Sequence, residues 1–165
     1  INANTFRNLI RYNGADNPVI SREAIVQARV DAMTYQDPTE HNRPVNLNTI
    51  LVAPSKYDEV LRIVNSTQIS GSNENDVNPL KGTLKVMQWE KLQTRTGGTD
   101  TSAYWFMFDS SLVGESLMAL FAEKPSLDAP EQVYKNKNWD YSLDFFYTLG
   151  RGFPAYVRGS NATGS

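Results

Sequence analysis

The chain has 165 residues, 40% hydrophobic and 21% charged, with a formal net charge of −2 at pH 7. That length can bury one core without covalent staples, and that charge lacks the basic excess on which non-specific nucleic-acid binding depends. There is no cysteine, which excludes disulfides, thiolate metal sites and thiol nucleophiles, and no apolar run approaches the roughly 20 residues a bilayer-spanning helix needs.

Ile1 is not an initiator methionine and no signal peptide follows it, which reads as a chain processed or cut from something longer. The opening INANTFRNLIRYNGADNP ends in turn formers. SREAIVQARVDAM predicts a helix over about 21–33, with Ser21 as its cap and Glu23 near the positive end of the helix dipole. Ala24, Ile25, Ala28 and Ala32 make a narrow apolar stripe whose small residues suit close packing. DPTEHNRP is a loop holding the single histidine, His41.

NLNTILVAP predicts a short buried strand. SKYDEVLRIVNST predicts a second helix, capped by Ser55 with Asp58 completing an acidic capping box, and buried through Tyr57, Val60, Leu61 and Val64. A polar run follows, then a stiff corner punctuated by Pro79 and Gly82. Residues 82–92 alternate as a strand, with Leu84 and Val86 on one face and Met87 and Trp89 on the other. Thr94–Ser102 reads as a hairpin-type connection, and Ala103–Phe108 as a strand buried on both faces.

Glu115–Glu123 has helical propensity but strand length. Trp139–Tyr147 alternates as one strand, with Trp139, Tyr141, Leu143, Phe145 and Tyr147 on one face and Asp140, Ser142 and Asp144 on the other. Beyond it Pro154 excludes a central strand position, and GSNATGS reads as a flexible tail. The class is α+β: two helices early, then mostly strands.

Catalytic patterns are missing. His41 sits in a polar loop without a nucleophile at a fixed spacing. Asn73, Glu74, Asn75, Asp76 and Asn78 carry oxygens but lack the register of a calcium loop, so a solvated loop is the better reading. Thr94–Ser102 lacks the lysine and following helix of a phosphate loop. Trp89, Trp105 and Trp139 could stack on a sugar, although aromatics at alternating strand positions more often fill a core. Asp140 and Asp144, on one strand face, are the weakest enzymatic alternative, a small hydrolase.

Four stretches in order resemble the C-terminal half of the major capsid proteins of tailed bacteriophages, nearest the Mu-type major head subunits. They are SREAIVQARVDAMTYQDPTEHNRPVNL, NTILVAPSKYDEVLRIVNST, NDVNPLKGTLKVMQWEKL and TSAYWFMFDSS, and Gly150-Arg151-Gly152 matches a local return near the end. The resemblance runs from about Ser21 to Gly159. It implies a fragment of the Hong Kong ninety-seven type capsid fold. Residues 1–46 would belong to the peripheral domain, 47–147 would form the axial domain with a mixed β-sheet flanked by helices, and 148–165 would be a return strand and tail. The amino-terminal arm, long extended loop and spine helix of that fold would precede Ile1. The resemblance also places β structure at Glu115–Glu123.

What the resemblance implies about function is structural. The chain would form pentamers and hexamers of an icosahedral phage head around DNA, assembled in the bacterial cytoplasm. Its partners would be copies of itself, with scaffold and decoration proteins and indirect DNA contact beside them, and no membrane. No catalytic, cofactor or metal residue is implied. The polar run Gln68, Ile69, Ser70, Gly71, Ser72, Asn73, Glu74, Asn75 and Asp76 would be an interface loop at a capsomer axis. Asn78, Pro79, Leu80, Lys81 and Gly82 would be the structural corner returning the chain to a rigid sheet. The alternatives are an encapsulin-like compartment shell and a carbohydrate-binding β-rich module using Trp89 and Trp139.

Overall fold

In the computed structural model the described residues are 8–37, 39, 41–69, 76–93, 100–133 and 138–163. They open with a hairpin, β1 (Arg11–Tyr12) against β2 (Ala15–Asp16), turned by Asn13-Gly14. Both turn residues have positive φ, 50° and 81°, which matches hairpin twist and which Asn and Gly tolerate.

Helix α1 (Arg22–Met33) starts where its cap predicts: Ser21 Oγ accepts the Ala24 N–H at 3.1 Å. Ala24, Ile25, Ala28 and Ala32 are fully buried. At the other end the Arg158 guanidinium donates to the Asp31 carbonyl at 3.1 Å, setting a cation at the negative end of the helix dipole. Arg158 is itself buried, and burial draws its pKa below the ordinary value.

Next come β3 (Thr49–Val52), α2 (Pro54–Asn65) and β4 (Lys85–Gln88). β3 and β4 are parallel, so α2 lies in the crossover between them. The start of α2 differs from expectation. Ala53 occupies the cap position and Pro54 the first turn, and no side chain caps the helix, so the Ser55–Asp58 capping box does not form. Proline's fixed φ and missing N–H suit that first position. The Ser55 N–H is instead satisfied by Gln93 Oε1 at 3.0 Å, from 38 residues away. Val60 and Val64 are buried; Tyr57 and Leu61 are half-buried.

The strand expected over residues 82–92 stops at Gln88, because Glu90–Leu92 turns as a 3₁₀ segment that buries Leu92. Strand β5 (Trp105–Phe108) is followed by a single helical turn, α3 (Val113–Ser116). Then come β6 (Leu117–Leu127), β7 (Glu131–Val133), β8 (Asn138–Asp140), β9 (Leu143–Arg151) and β10 (Val157–Ser160).

Two compact units result: residues 1–113 with 154–165, and residues 114–153. In the first, the four-stranded sheet runs β10-β5-β3-β4, with β5 antiparallel to both neighbours. β4 and β5 are therefore not a hairpin pair, contrary to the sequence expectation; apolar β3 takes the place between them. Residues 94–99 of the intervening connection lie outside the described residues. β5 is also not buried equally on both faces: Trp105 and Met107 are buried, Phe106 and Phe108 half-buried.

In the second unit β6 and β9 pair antiparallel from Leu117↔Arg151 to Leu127↔Leu143, with irregularities around Glu123, and β7 pairs with β8. Residues 117–123 are thus strand, as the resemblance implied, after the one turn of α3. The single strand expected over 139–147 is broken at Tyr141–Ser142. Asp128 N–H donates to the Ser142 carbonyl at 3.0 Å and Ser142 Oγ to the Asp128 carboxylate at 2.6 Å. Asp140 and Asp144 consequently fall on different strands rather than on one strand face.

Candidate assembly surfaces

The corner is built around one buried amide. Asn78 is 2% exposed. Its Nδ2 donates to the Ile63 carbonyl in the last turn of α2 at 2.8 Å and to Ser66 Oγ at 3.2 Å, and its Oδ1 accepts the Leu80 N–H at 3.1 Å. Leu80 is buried beneath Pro79, Lys81 and Gly82, which are exposed. Gly82 has φ of 74°, a left-handed conformation that favours glycine, and Lys81 Nζ reaches Thr67 Oγ1 at 3.0 Å.

The polar run over residues 68–76 is pinned at its base. Gln68 bridges Val77, and the Ile69 N–H donates to the Asp76 carbonyl at 2.9 Å. Ser70, Gly71, Ser72, Asn73, Glu74 and Asn75 lie outside the described residues. Of the oxygens considered for calcium, the Asn78 amide is committed to the corner, and among the described residues no three His, Asp or Glu side chains group so as to hold a metal ion.

His41 is exposed, with its Nδ1 2.9 Å from Thr39 Oγ1. The focus of that loop is Asp37, whose carboxylate accepts from the Thr39 hydroxyl and N–H at 2.6 and 2.9 Å, the His41 N–H at 3.1 Å and Arg43 Nε at 2.9 Å. These bonds, the Thr39 hydroxyl foremost, hold its pKa at about 2, below the ordinary carboxylate range. The folded value is depressed, so this stabilisation is present above the unfolded pKa of about 4 and is lost as pH falls from there through the folded value. Acid titration of unfolding should therefore show a loss of stability between about pH 4 and pH 2 that Asp37→Asn flattens. An unchanged slope in the variant would refute the assignment.

The second unit carries the feature that sequence reading missed. Among the described residues 18 large hydrophobic side chains are exposed, and 12 of them lie in residues 114–153. Residues opposite one another in an antiparallel pair share a face. The register thus puts Leu117, Phe121 and Leu127 of β6 with Leu143, Phe145, Tyr147 and Leu149 of β9 on one face, ending in Arg151. Phe145 and Tyr147 stack at 5.8 Å, and Phe121 lies 6.0 Å from Tyr147. The opposite face mixes Met118, Leu120 and Phe146 with Glu123, Asp144 and Thr148. The signal was present in ESLMALF and DFFYTL, but it reads as core.

Trp105 is buried, whereas Trp89 and Trp139 are 51% and 57% exposed. The exposed pair belongs to different units, so no single element carries both rings. Asp140 lines a 500 Å³ hollow with Asp128 and Glu131, but Asp144 does not. A 670 Å³ hollow lined by α1 and α2 residues is bordered by Arg22, Glu23, Asp58, Glu59 and Arg62, charges of both signs with no histidine among them. No family model matches the chain, and no curated protein matches it either.

Proposed function

We propose that the chain is a structural subunit of an icosahedral shell of the tailed-phage head type, a C-terminal portion of the Hong Kong ninety-seven type capsid fold that works by burying surface between identical copies rather than by catalysis. The observation that carries this reading is the ribbon of β6 and β9. An isolated two-stranded ribbon is marginally stable in water, and a soluble chain rarely leaves so large a contiguous apolar surface open. Such a surface fits a protein whose working state is an assembly. The order of the four resembling stretches supports the shell in particular, and the βαβ unit with its pinned corner supplies a rigid mount for the loop at Gln68–Asp76. In this reading the chain meets further copies in rings of five and six, beside scaffold and decoration proteins, in the phage head around DNA. An encapsulin-like compartment shell would share the fold and differ in cargo.

The exposure of Trp89 and Trp139 favours the carbohydrate-binding module as the second reading. It ranks second because neither compact unit carries both rings.

Size exclusion with light scattering at rising concentration, with negative-stain microscopy of each peak, tests the shell. Rings of five or six copies, or curved shell fragments, are expected. A monomer at every concentration would overturn the reading.

A further inference from the structure

We infer that the aromatic face of the β6–β9 ribbon is a two-fold joint: it packs face to face on the same face of a second copy, with the strands antiparallel so that the tip of one ribbon lies over the base of the other. The proposal rests on the shell reading for its place in the assembly. Ring contacts are head-to-tail, whereas this joint is isologous and links copies outside the ring.

Size is the first argument. The seven large apolar side chains on this face are 43–75% exposed. Together they present roughly 700 Å² of apolar surface, close to the roughly 800 Å² each partner gives to a standard interface. Among the described residues the other exposed large hydrophobics of the second unit include Met118, Leu120 and Phe146, interleaved with Glu123, Asp144 and Thr148 on the opposite face, and the six of the first unit, such as Val19, Val77 and Trp89, are scattered. They offer no matching apolar strip, so a copy of the same face is the best-matched occupant present in the chain.

Charge sets the direction. Among the described residues with a paired partner on this face, the charged one is Arg151, at the base; Lys124 falls in the irregular stretch between the Glu123 and Ser126 pairs. Among the described residues the tip beyond Leu127 and Leu143 carries Asp128, Glu131 and Asp140, and with Lys135 and Lys137 in the connecting sequence residues 128–142 keep a net charge of −1 (three acids against two lysines). Parallel packing would set Arg151 against Arg151 and acidic tip against acidic tip. Antiparallel packing sets each Arg151 towards the partner's acidic tip and leaves the apolar row in the middle. Tyr147 is midway between Leu143 and Arg151, so it lies at the axis, facing its own copy.

The cysteine-free sequence makes the geometry directly testable. Packed sheets stand about 10 Å apart, a span suited to a short bismaleimide. In the assembled protein Tyr147→Cys should crosslink to itself. Leu143→Cys and Arg151→Cys should each fail alone and crosslink when mixed, and Thr148→Cys on the opposite face should stay unlinked. Self-crosslinking of Leu143→Cys, or Thr148→Cys linking as well as Tyr147→Cys, would overturn the joint. So would rings or shells in which Tyr147→Cys does not link, an outcome that leaves the shell reading standing. Register-specific links in a dimer that never grows would support the joint and remove the shell. An unlinked monomer at all concentrations would remove both.

Discussion

Truncating Trp105 to alanine should destabilise the first unit by about 3–5 kcal/mol, the range for removing a large buried aromatic. Trp105 is 1% exposed on β5, between β10 and β3 in the middle of the sheet. Its indole N–H donates to the Pro18 carbonyl at 3.0 Å, and Ser160 Oγ donates to the same oxygen at 2.7 Å. That carbonyl keeps a partner after truncation, so the loss should come from packing. Trp105→Phe separates the terms: it retains most of the volume and gives up one hydrogen bond, and should cost about 1–2 kcal/mol. Urea unfolding followed by circular dichroism measures both. Because Trp89 and Trp139 are exposed, the blue edge of the native emission belongs to Trp105 and should vanish in both variants. An alanine variant within about 1 kcal/mol of the parent would contradict the range for a buried tryptophan and the placement of this ring at the centre of the core.

Where structure was legible in the sequence, the determinants were local. Ser21, Glu23 and the alanine stripe state the start and buried face of α1 within 12 residues, and the structure agrees at each position. The Asn13-Gly14 hairpin was equally local, an Asn-Gly pair between short extended segments, and attention to turn type would have found it. The start of α2 was misread because the acceptor for its Ser55 N–H is not local: Gln93 comes from beyond the crossover. The Ala53-Pro54 pair was nevertheless a usable sign that the helix begins one residue before Ser55.

Sheet order was less accessible. Alternation identifies a strand but not its neighbour, and β3 was free to separate β4 from β5 once α2 allowed a parallel crossover. The ribbon shows a further limit. Phe145-Phe146-Tyr147 reads as core under the rule that large apolar residues are buried, and that rule does not say whether the covering surface belongs to the same chain. Of the proposed interface loop, sequence alone supplied the polar composition. The structure adds the means by which its two ends are held, through Asn78 and the Gln68–Val77 bridge.

Asn78→Asp should be the most informative lesion of that anchor, because it changes one atom type and almost no volume. The native amide donates to the Ile63 carbonyl and to Ser66 Oγ, and the Ser66 hydroxyl is already committed to the Gln68 carbonyl at 2.8 Å. An ionised carboxylate would face two lone pairs, at the negative end of the α2 dipole and out of contact with water. The expected cost at neutral pH is about 3 kcal/mol or more, against about 1–3 kcal/mol for Asn78→Ala, which only removes the bonds. Burial and the facing oxygens raise the introduced carboxyl's folded pKa above its unfolded value near 4. The folded variant then holds a proton that the unfolded chain releases, so its deficit should be largest above neutral pH and shrink as pH falls through the raised value. The Asp37 contribution runs the other way, but it is common to parent and variant and cancels in their difference. Urea unfolding of parent, Asn78→Ala and Asn78→Asp at a series of pH values measures this directly. A deficit that grows on acidification, or an aspartate variant as stable as the parent, would mean that the corner is not held by this amide. The pinned loop base would then need another anchor.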